Sequence, residues 1–376
     1  MRKFICLCLS LTACFFLMSP VSMAVAADPI AIGLMGPITG GWASEGEGMV
    51  QVVEILTEDI NAAGGINGTP VVVEVGDDGG TPNTASLAAQ KLLTLGVVAV
   101  VGTYGSSITE ATQNIYDEGG VIQIATGSTK ISLSEKGLKK FFRTCPRDDE
   151  QGKVLANNVK NLGFTKVALV HDNTSYSKGL ADETREIFKS IGVEEVYYDS
   201  IVPSERDYTV SLTKIKAANP EVIVFTGYYP EAGLLLRQKR ELGFDVPMIG
   251  GDATNNTSIV EIAGKEAADG YYFVSPPALQ DMKTEAATKF MATYQKKHNA
   301  LPSSTWAVLA GDAFLVLVEA IKAVGPDPEK MAEWLKTGLK DYQGLSGPIA
   351  FDQNGDRVGE VYRLYKIAPS GDFIIQ

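Results

Sequence analysis

Cysteine and histidine are scarce in this chain of 376 residues, and their scarcity excludes several kinds of site. Three of the four cysteines, Cys6, Cys8 and Cys14, lie close to the N-terminus, so only Cys145 remains in the body of the chain. A framework of disulfides is therefore excluded there. The two histidines, His171 and His298, are far apart, and no HExxH, CxxC or paired His/Cys motif occurs. We accordingly predict no transition-metal site and no cofactor.

The motifs of the common enzyme classes are absent as well. The chain has no GxSxG elbow and no GxxxxGK[ST] loop, and no GxGxxG follows its first predicted strand. A segment that begins at Asp352 resembles a calcium loop, but Arg357 and Arg363 stand where glycine and glutamate are needed, so a hairpin turn is predicted. We predict a binding protein. A secreted α/β enzyme is the alternative, and it would need a partner for His171 or Cys145.

Charge and hydropathy indicate an exported protein. The formal net charge of −12 argues against nucleic acid and anionic membranes as partners. Residues 1–27 have the pattern of a secretory signal peptide, with basic residues at positions 2 and 3, an apolar stretch at 4–18 and small residues at 24–26. We therefore predict a periplasmic location. Lipid attachment at Cys14 is an alternative, because residues 11–14 resemble a lipoprotein processing site.

After the signal peptide, apolar strands alternate with amphipathic helices. The first unit of this kind runs to about position 143, and a second unit of similar size follows, beginning with a helix at 148–162. Such alternation is typical of doubly wound parallel sheets. The sequence therefore predicts the α/β class with two parallel-sheet units.

Two polar loops follow neighbouring strands of the first unit. The apolar stretches 97–101 and 121–125 lead into loops that contain Ser106, Ser128 and Thr129. Ligands bind outside the carboxyl ends of strands in open α/β sheets, and helix N-termini bind anions. These hydroxyls could therefore hold a carboxylate. The alternative is that they are ordinary helix caps and turn residues.

Several longer motifs carry a resemblance to a known family. They read IAIGLMGPITG, DINAAGGINGTPVVVEVGDD, VGTYGSSIT, IYDEGGVIQIATGST, HDNTSYSKGL, FTGYYPEAGLLLRQKRELG and IGGDA, in chain order. With these motifs the chain resembles the type I periplasmic solute-binding proteins of the branched-chain amino-acid ABC transport family, the Leu/Ile/Val-binding proteins. The resemblance covers essentially the whole chain after the signal peptide.

The resemblance implies a Venus flytrap of two lobes joined by a three-segment hinge. The implied first lobe contains residues 28–146 and 276–349, and the implied second lobe contains residues 147–275 and 350–376. The implied crossings between the lobes lie near 143–147, 274–277 and 349–351. The tail strands would return to the second lobe.

The resemblance also implies the roles of individual residues. Ser106 corresponds to the serine that binds the ligand carboxylate, and Gly127 and Thr129 to residues that contact its carboxylate and ammonium. Asp252 corresponds to the acid that pairs with the α-ammonium. Trp42 corresponds to an aromatic lid, and Tyr176 and Tyr228 correspond to tyrosines that close over the ligand. The candidate ligand-binding residues are Trp42, Tyr104, Ser106, Gly127, Ser128, Thr129, Tyr176, Tyr228 and Asp252.

The implied function is capture of an L-amino acid, with a branched-chain or other hydrophobic side chain favoured, and delivery to an ABC-type membrane permease by a monomer. The alternatives are an amino-acid or amide sensor without transport, and a binder of polar or aromatic amino acids. Tyr104 replaces an aliphatic residue of the family, and Ser304 stands near the place of an aromatic wall. The family's frequent first-lobe disulfide cannot form here.

Overall fold

The computed structural model describes residues 28–359 and 362–376. The predicted signal peptide and Cys14 lie outside the described residues. Within the described part, every helix is too short or too polar to cross a membrane.

The first sheet confirms the predicted alternation of strands and helices. Its five parallel strands stand in the order β2-β1-β3-β4-β5, with Ile32 of β1 paired to Val73 on one side and Ala99 on the other. The strands are β1 (Ile30–Gly36), β2 (Val71–Asp77), β3 (Ala99–Val101), β4 (Ile122–Ala125) and β5 (Phe141–Arg143). The connecting helices are α1 (Ala43–Ala62), α2 (Pro82–Thr94) and α3 (Ser106–Glu118).

The second sheet continues the same pattern and adds two antiparallel strands from the tail. Its order is β14-β13-β10-β9-β8-β6-β7. The strands are β6 (Lys166–His171), β7 (Glu194–Ser200), β8 (Val222–Phe225), β9 (Met248–Gly250), β10 (Tyr272–Ser275), β13 (Arg363–Ile367) and β14 (Phe373–Ile375). The helices are α4 (Asp148–Asn161), α5 (Ser175–Ile191), α6 (Thr209–Ala217), α7 (Tyr229–Glu241), α8 (Ser258–Ala263) and α9 (Lys265–Ala268).

Three later helices and a small hairpin lie between β10 and β13 in the sequence. They are α10 (Glu285–His298), α11 (Thr305–Val324), α12 (Pro328–Thr337), β11 (Tyr342–Gly344) and β12 (Gly347–Ile349). Helix α11 is apolar on nearly every face and packs against α1, β3 and β4 of the first-sheet layers. Gly311 permits this approach, because a Cβ there would lie 2.7 Å from Cγ1 of Val52. The core of the first unit therefore depends on a helix that comes late in the chain.

The polypeptide passes between the two sheets in three places within the described residues. It leaves the first sheet between Arg143 and Asp148, returns after Ser275, and enters the second sheet again before Arg363. The predicted α/β class with two mainly parallel sheets is confirmed. The residue bounds of the two lobes stay a prediction. The terms first lobe and second lobe refer to these predicted bounds.

Local structure corrects the alternative in which Ser106 caps a helix. Helix α1 begins at Ala43, so Trp42 is its N-cap residue, and α5 begins at Ser175. Ser106 does not cap α3 but is its first helical residue, preceded by Gly105 without a side-chain cap. The hydroxyl of Thr109 bonds to Thr103 and Ser128 instead. Tertiary hydrogen bonds here replace the local capping that the residue types suggested.

The turn predicted at Asp352 is confirmed. Its Oδ1 accepts hydrogen bonds from the backbone N–H groups of Asn354 and Asp356, at 2.8 Å and 2.9 Å. Within the described part of the chain, no group of three or more His, Cys, Asp or Glu side chains has the geometry to hold a metal ion.

Candidate functional site

Five aromatic rings from both lobes pack together between the two sheets. We call them the aromatic cluster, and its members are Trp42, Tyr104, Tyr176, Tyr228 and Trp306. Tyr228 is central, because its ring centroid lies 4.2 Å from Trp42, 5.3 Å from Tyr176 and 5.8 Å from Tyr104. Four of the five rings are buried, and Trp42 is partly buried. The structure thus brings the four sequence-predicted aromatic residues together, in a closed arrangement of the lobes.

Trp306 was missed by the sequence interpretation. Its ring lies 6.2 Å from that of Tyr104, and it is the second residue of α11. Ser304 itself caps α11, and the aromatic ring of Trp306 follows two residues later. Whether Ser304 stands at the place of the family's aromatic wall stays a prediction. The tryptophan at the start of a long apolar helix was the available signal.

The predicted carboxylate side of the site lies at the N-terminus of α3. Ser106 is fully buried, and its Oγ accepts from the N–H of Lys130 at 3.3 Å, so its own proton is available to donate. The buried Thr129 Oγ1 has no hydrogen-bond partner among the described residues. A Cβ at Gly127 would lie 2.6 Å from Cδ2 of Tyr104, so this position requires glycine. Hydroxyl donors and the positive end of the helix dipole together suit an anion.

Ser128 differs from its neighbours. Its hydroxyl accepts from Thr109 at 2.6 Å and lies 3.1 Å from the carbonyl oxygen of Tyr104. These bonds tie the loop after β4 to the loop after β3. They account for the burial of Ser128 without a ligand, and its predicted role in binding stays a prediction.

Asp252 stands at the end of β9, where the second lobe faces the aromatic cluster. Only 1% of its surface is exposed. Its carboxylate accepts from the hydroxyls of Tyr176 at 2.9 Å and Tyr362 at 2.8 Å, and Gln151 accepts from its backbone N–H. Burial raises the pKa of Asp252 to about 7. A buried carboxylate that receives only neutral donors is best neutralised by a cation.

Asp148 is a second buried acid beside Asp252. The Nε2 of Gln151 donates to its Oδ1 at 2.8 Å, while its Oδ2 has no partner among the described residues. Burial, and then the charge of Asp252, raise the pKa of Asp148 well above its usual range. The sequence interpretation missed it, because acids in the first turn of a helix usually only stabilise the helix dipole.

Glu45 is a third buried acid, on the first-lobe side of the cluster. It is fully buried, accepts from the Nδ2 of Asn256 at 2.7 Å, and also receives the hydroxyl of Ser304. Burial raises the pKa of Glu45 to about 7. In the sequence it reads as a polar residue on the solvent face of α1.

A group of polar side chains joins the lobes at the mouth of the cleft. Lys130 Nζ lies 2.6 Å from Glu110 Oε1 and 2.8 Å from the hydroxyl of Ser175. Ser175 in turn donates to Glu110 at 2.5 Å. Because Lys130 and Glu110 belong to the predicted first lobe and Ser175 to the predicted second, the two bonds of Ser175 join the lobes.

The buried acids predict how the stability of the ligand-free protein depends on pH. Burial raises the pKa of Glu45, Asp78 and Asp252 to about 7. Between their unfolded values near 4 and pH 7, the folded state holds more protons than the unfolded chain. The free energy of unfolding therefore rises as the pH falls through this window, by up to about 1.4 kcal/mol per unit for each group. Burial lowers the pKa of His171, and this group has the opposite effect, because it lowers the free energy of unfolding as the pH falls.

Thermal unfolding at pH 8, 7, 6 and 5 tests this prediction. We expect a higher Tm at pH 6 than at pH 8, and a smaller rise in the Asp252→Asn variant. A Tm that falls steadily from pH 8 to pH 6 would contradict it.

Comparisons with known proteins extend over nearly all of the described chain. A sequence model of the family described as "Periplasmic binding protein" matches residues 29–372. The Leu/Ile/Val-binding protein BraC3 of Rhizobium johnstonii is 34% identical over 341 residues, which cover 90% of this chain and 91% of that protein. An amino acid binding protein of Pseudomonas aeruginosa is 35% identical, over 92% of this chain and 91% of that protein.

A solved structure is similar to this fold over a similar share of the chain. LivJ of Streptococcus pneumoniae, a branched-chain amino acid transporter substrate binding protein in complex with isoleucine, superposes with a TM-score of 0.84 at 30% identity. The match covers 93% of this chain and 100% of the other. Both sheets and the cleft between them therefore lie within the region of similarity.

Proposed function

The chain belongs to the periplasmic binding protein family, and from this premise we propose that it captures an L-amino acid in the cleft between its lobes. The family consists of binding proteins, so the prediction that this chain is not an enzyme is confirmed. The observation that carries the proposal is the position of Asp252, which is buried without a cationic partner among the described residues and faces an aromatic cluster.

The site has the polarity that an amino-acid zwitterion requires. The hydroxyls of Ser106 and Thr129, with the first N–H groups of α3, supply donors for the ligand carboxylate. Asp252 supplies the anion for the α-ammonium, and the ring faces of Tyr176 and Tyr228 add cation–π attraction. Each charge of the ligand would then be paired inside the closed cleft.

Lobe closure couples binding to a change of shape. The ligand would bind first to Ser106 and Thr129 of the first lobe, and closure would bring Tyr176, Tyr228 and Asp252 onto it. The bonds of Ser175 to Lys130 and Glu110 then stabilise the closed state. A ligand favours closure by the contacts that it makes only in that state.

We further propose delivery of the ligand, by a periplasmic monomer, to an ABC-type permease that recognises the closed form. The names of the Rhizobium relative and of LivJ support transport and a branched-chain or other hydrophobic side chain. The proposed lobe bounds are residues 28–146 with 276–349, and 147–275 with 350–376. A sensor role with the same cleft is the alternative, and a permease as membrane partner separates the two.

Thermal unfolding tests the proposed function. The chain from Asp28 is refolded without ligand and heated with each common L-amino acid and with simple amides. An L-amino acid at 1,000 times its Kd adds about 4 kcal/mol to the free energy of unfolding, which raises Tm by several degrees. The D-enantiomer of the active compound is the matched control. If no L-amino acid shifts the Tm, the proposed function is wrong.

A further inference from the structure

Glu45 lies beside the part of the aromatic cluster that the first lobe supplies. Its carboxyl receives the hydroxyl of Ser304, which also accepts the N–H of Trp306 at 3.2 Å. Burial raises the pKa of Tyr104 most, and the charge of Glu45 raises it next. Asp252, in contrast, bonds to Tyr176 of the second lobe. Two buried carboxyls thus border one set of rings from different sides.

A buried hydroxyl near Glu45 lacks a partner. The hydroxyl of Tyr104, whose side chain is 1% exposed, has no hydrogen-bond partner among the described residues, and a phenol oxygen can accept as well as donate. An ionised carboxyl offers about four acceptor positions, and Glu45 uses two, for Asn256 and Ser304. A purely hydrophobic ligand side chain would leave these acceptor positions unpaired inside the closed cleft, whereas the N–H groups of an ammonium or guanidinium can donate to them.

We propose that Glu45 selects an L-amino acid whose side chain ends in a cation, an ammonium or a guanidinium. This inference rests on the proposed capture of an L-amino acid, and it replaces the hydrophobic side chain that the names of the relatives support with a cationic one. An α-ammonium at Asp252 and a carboxylate at α3 would leave the ligand side chain toward Tyr104 and Glu45. Tyr176 and Tyr104 stand one ring on either side of Tyr228, at 5.3 Å and 5.8 Å. The aliphatic stem of a lysine or an arginine can lie along such aromatic faces.

A purely structural role does not explain why residue 45 is an acid. Its bond to Asn256 joins the lobes, but a glutamine could make that bond without burying a charge. A buried carboxylate is costly unless a cation pairs with it. Asp148, Asp172 and Asp252 are also buried around the cleft, and the α-ammonium of a ligand can neutralise only one of these acids. A second positive charge on the ligand therefore fits the excess of acid.

Isothermal titration of the ligand-free protein tests the proposal. The probes are lysine, arginine, glutamine, leucine and norleucine, which is lysine without its terminal ammonium. We expect lysine or arginine to bind at least 10-fold more tightly than norleucine and leucine. In Glu45→Gln this advantage should shrink by about 10- to 100-fold, with norleucine affinity nearly unchanged. Asp312→Asn, which alters a buried acid that bonds to the backbone of Ser346 and not to the aromatic cluster, should keep the advantage.

The outcomes separate the inference from the function on which it rests. If leucine, norleucine or glutamine binds as tightly as lysine and arginine, the inference is overturned while the proposed function stands. If no amino acid binds, both are overturned. The comparison of lysine with norleucine in the natural protein needs no variant, so a Glu45→Gln protein that fails to fold leaves the test intact.

Discussion

The substitution Asp252→Asn is expected to weaken the binding of the cognate L-amino acid by at least about 100-fold. Removing one partner of a buried ion pair costs about 3–5 kcal/mol, because the remaining charge stays buried without compensation. Asparagine keeps the shape of the side chain and can still bond to Tyr176 or Tyr362. The loss would therefore report on the charge that meets the ligand ammonium. Isothermal titration at pH 8, where Asp252 is mostly ionised, measures it.

A second buried acid supplies the control for this experiment. Asp312 is fully buried in α11 and accepts from the backbone N–H of Ser346 at 3.1 Å, on the side of the helix that meets the β11–β12 hairpin. Asp312→Asn should lower the Tm but leave the Kd within about threefold. An Asp252→Asn protein that keeps its full affinity would remove Asp252 from the site.

The substitution Arg143→Met is expected to lower the free energy of unfolding by about 3 kcal/mol or more. The guanidinium of Arg143 is fully buried and pairs with Asp356, which lies 213 positions away in the sequence. It also donates to the carbonyl oxygens of Lys130 at 2.8 Å and Ser128 at 3.1 Å. Methionine would leave Asp356 with Arg147 as its ion-pair partner and these carbonyls without donors.

Denaturant unfolding of the ligand-free protein measures this loss. An exposed arginine is the matched control, since Arg237 is 3.9 Å from Glu241 on the surface of α7, and Arg237→Met should change stability by less than about 0.5 kcal/mol. Because Arg143 holds the loop that carries Thr129, ligand affinity should fall as well. Equal stability of the two variants would show that the Arg143 network contributes little.

Local sequence pattern was sufficient for most of the secondary structure. The bounds of α11 follow from its apolar residues between Ser304 and Gly325, because a capping residue and a terminal glycine mark both ends. The start of α1 is hard to find from the sequence, because glycines in its first turns hide the helical period. Glycine there is required by packing, since a Cβ at Gly46 would lie 2.4 Å from the backbone of Pro37.

The charged part of the site was harder to predict, because it is made by contacts between distant residues. Glu45 is buried against Asn256, which lies 211 positions away in the sequence. Tyr362 reaches Asp252 across 110 positions. A single sequence shows that such residues are polar but not which of them closure removes from water. Asp252 could be assigned a role only because its motif resembled that of a known family.

The late position of α11 has a consequence for the order in which the protein folds. The strands β1–β5 are complete once Arg143 has been made, but the helix that covers α1, β3 and β4 begins only at Thr305. Until then the contacts that α11 makes with α1, β3 and β4 cannot form, although α1 already packs on β1 and β2. The core of the first lobe can therefore be completed only after most of the second lobe has been synthesised. For a protein that we propose to be exported, the completion of this core is a late event in the life of the nascent chain.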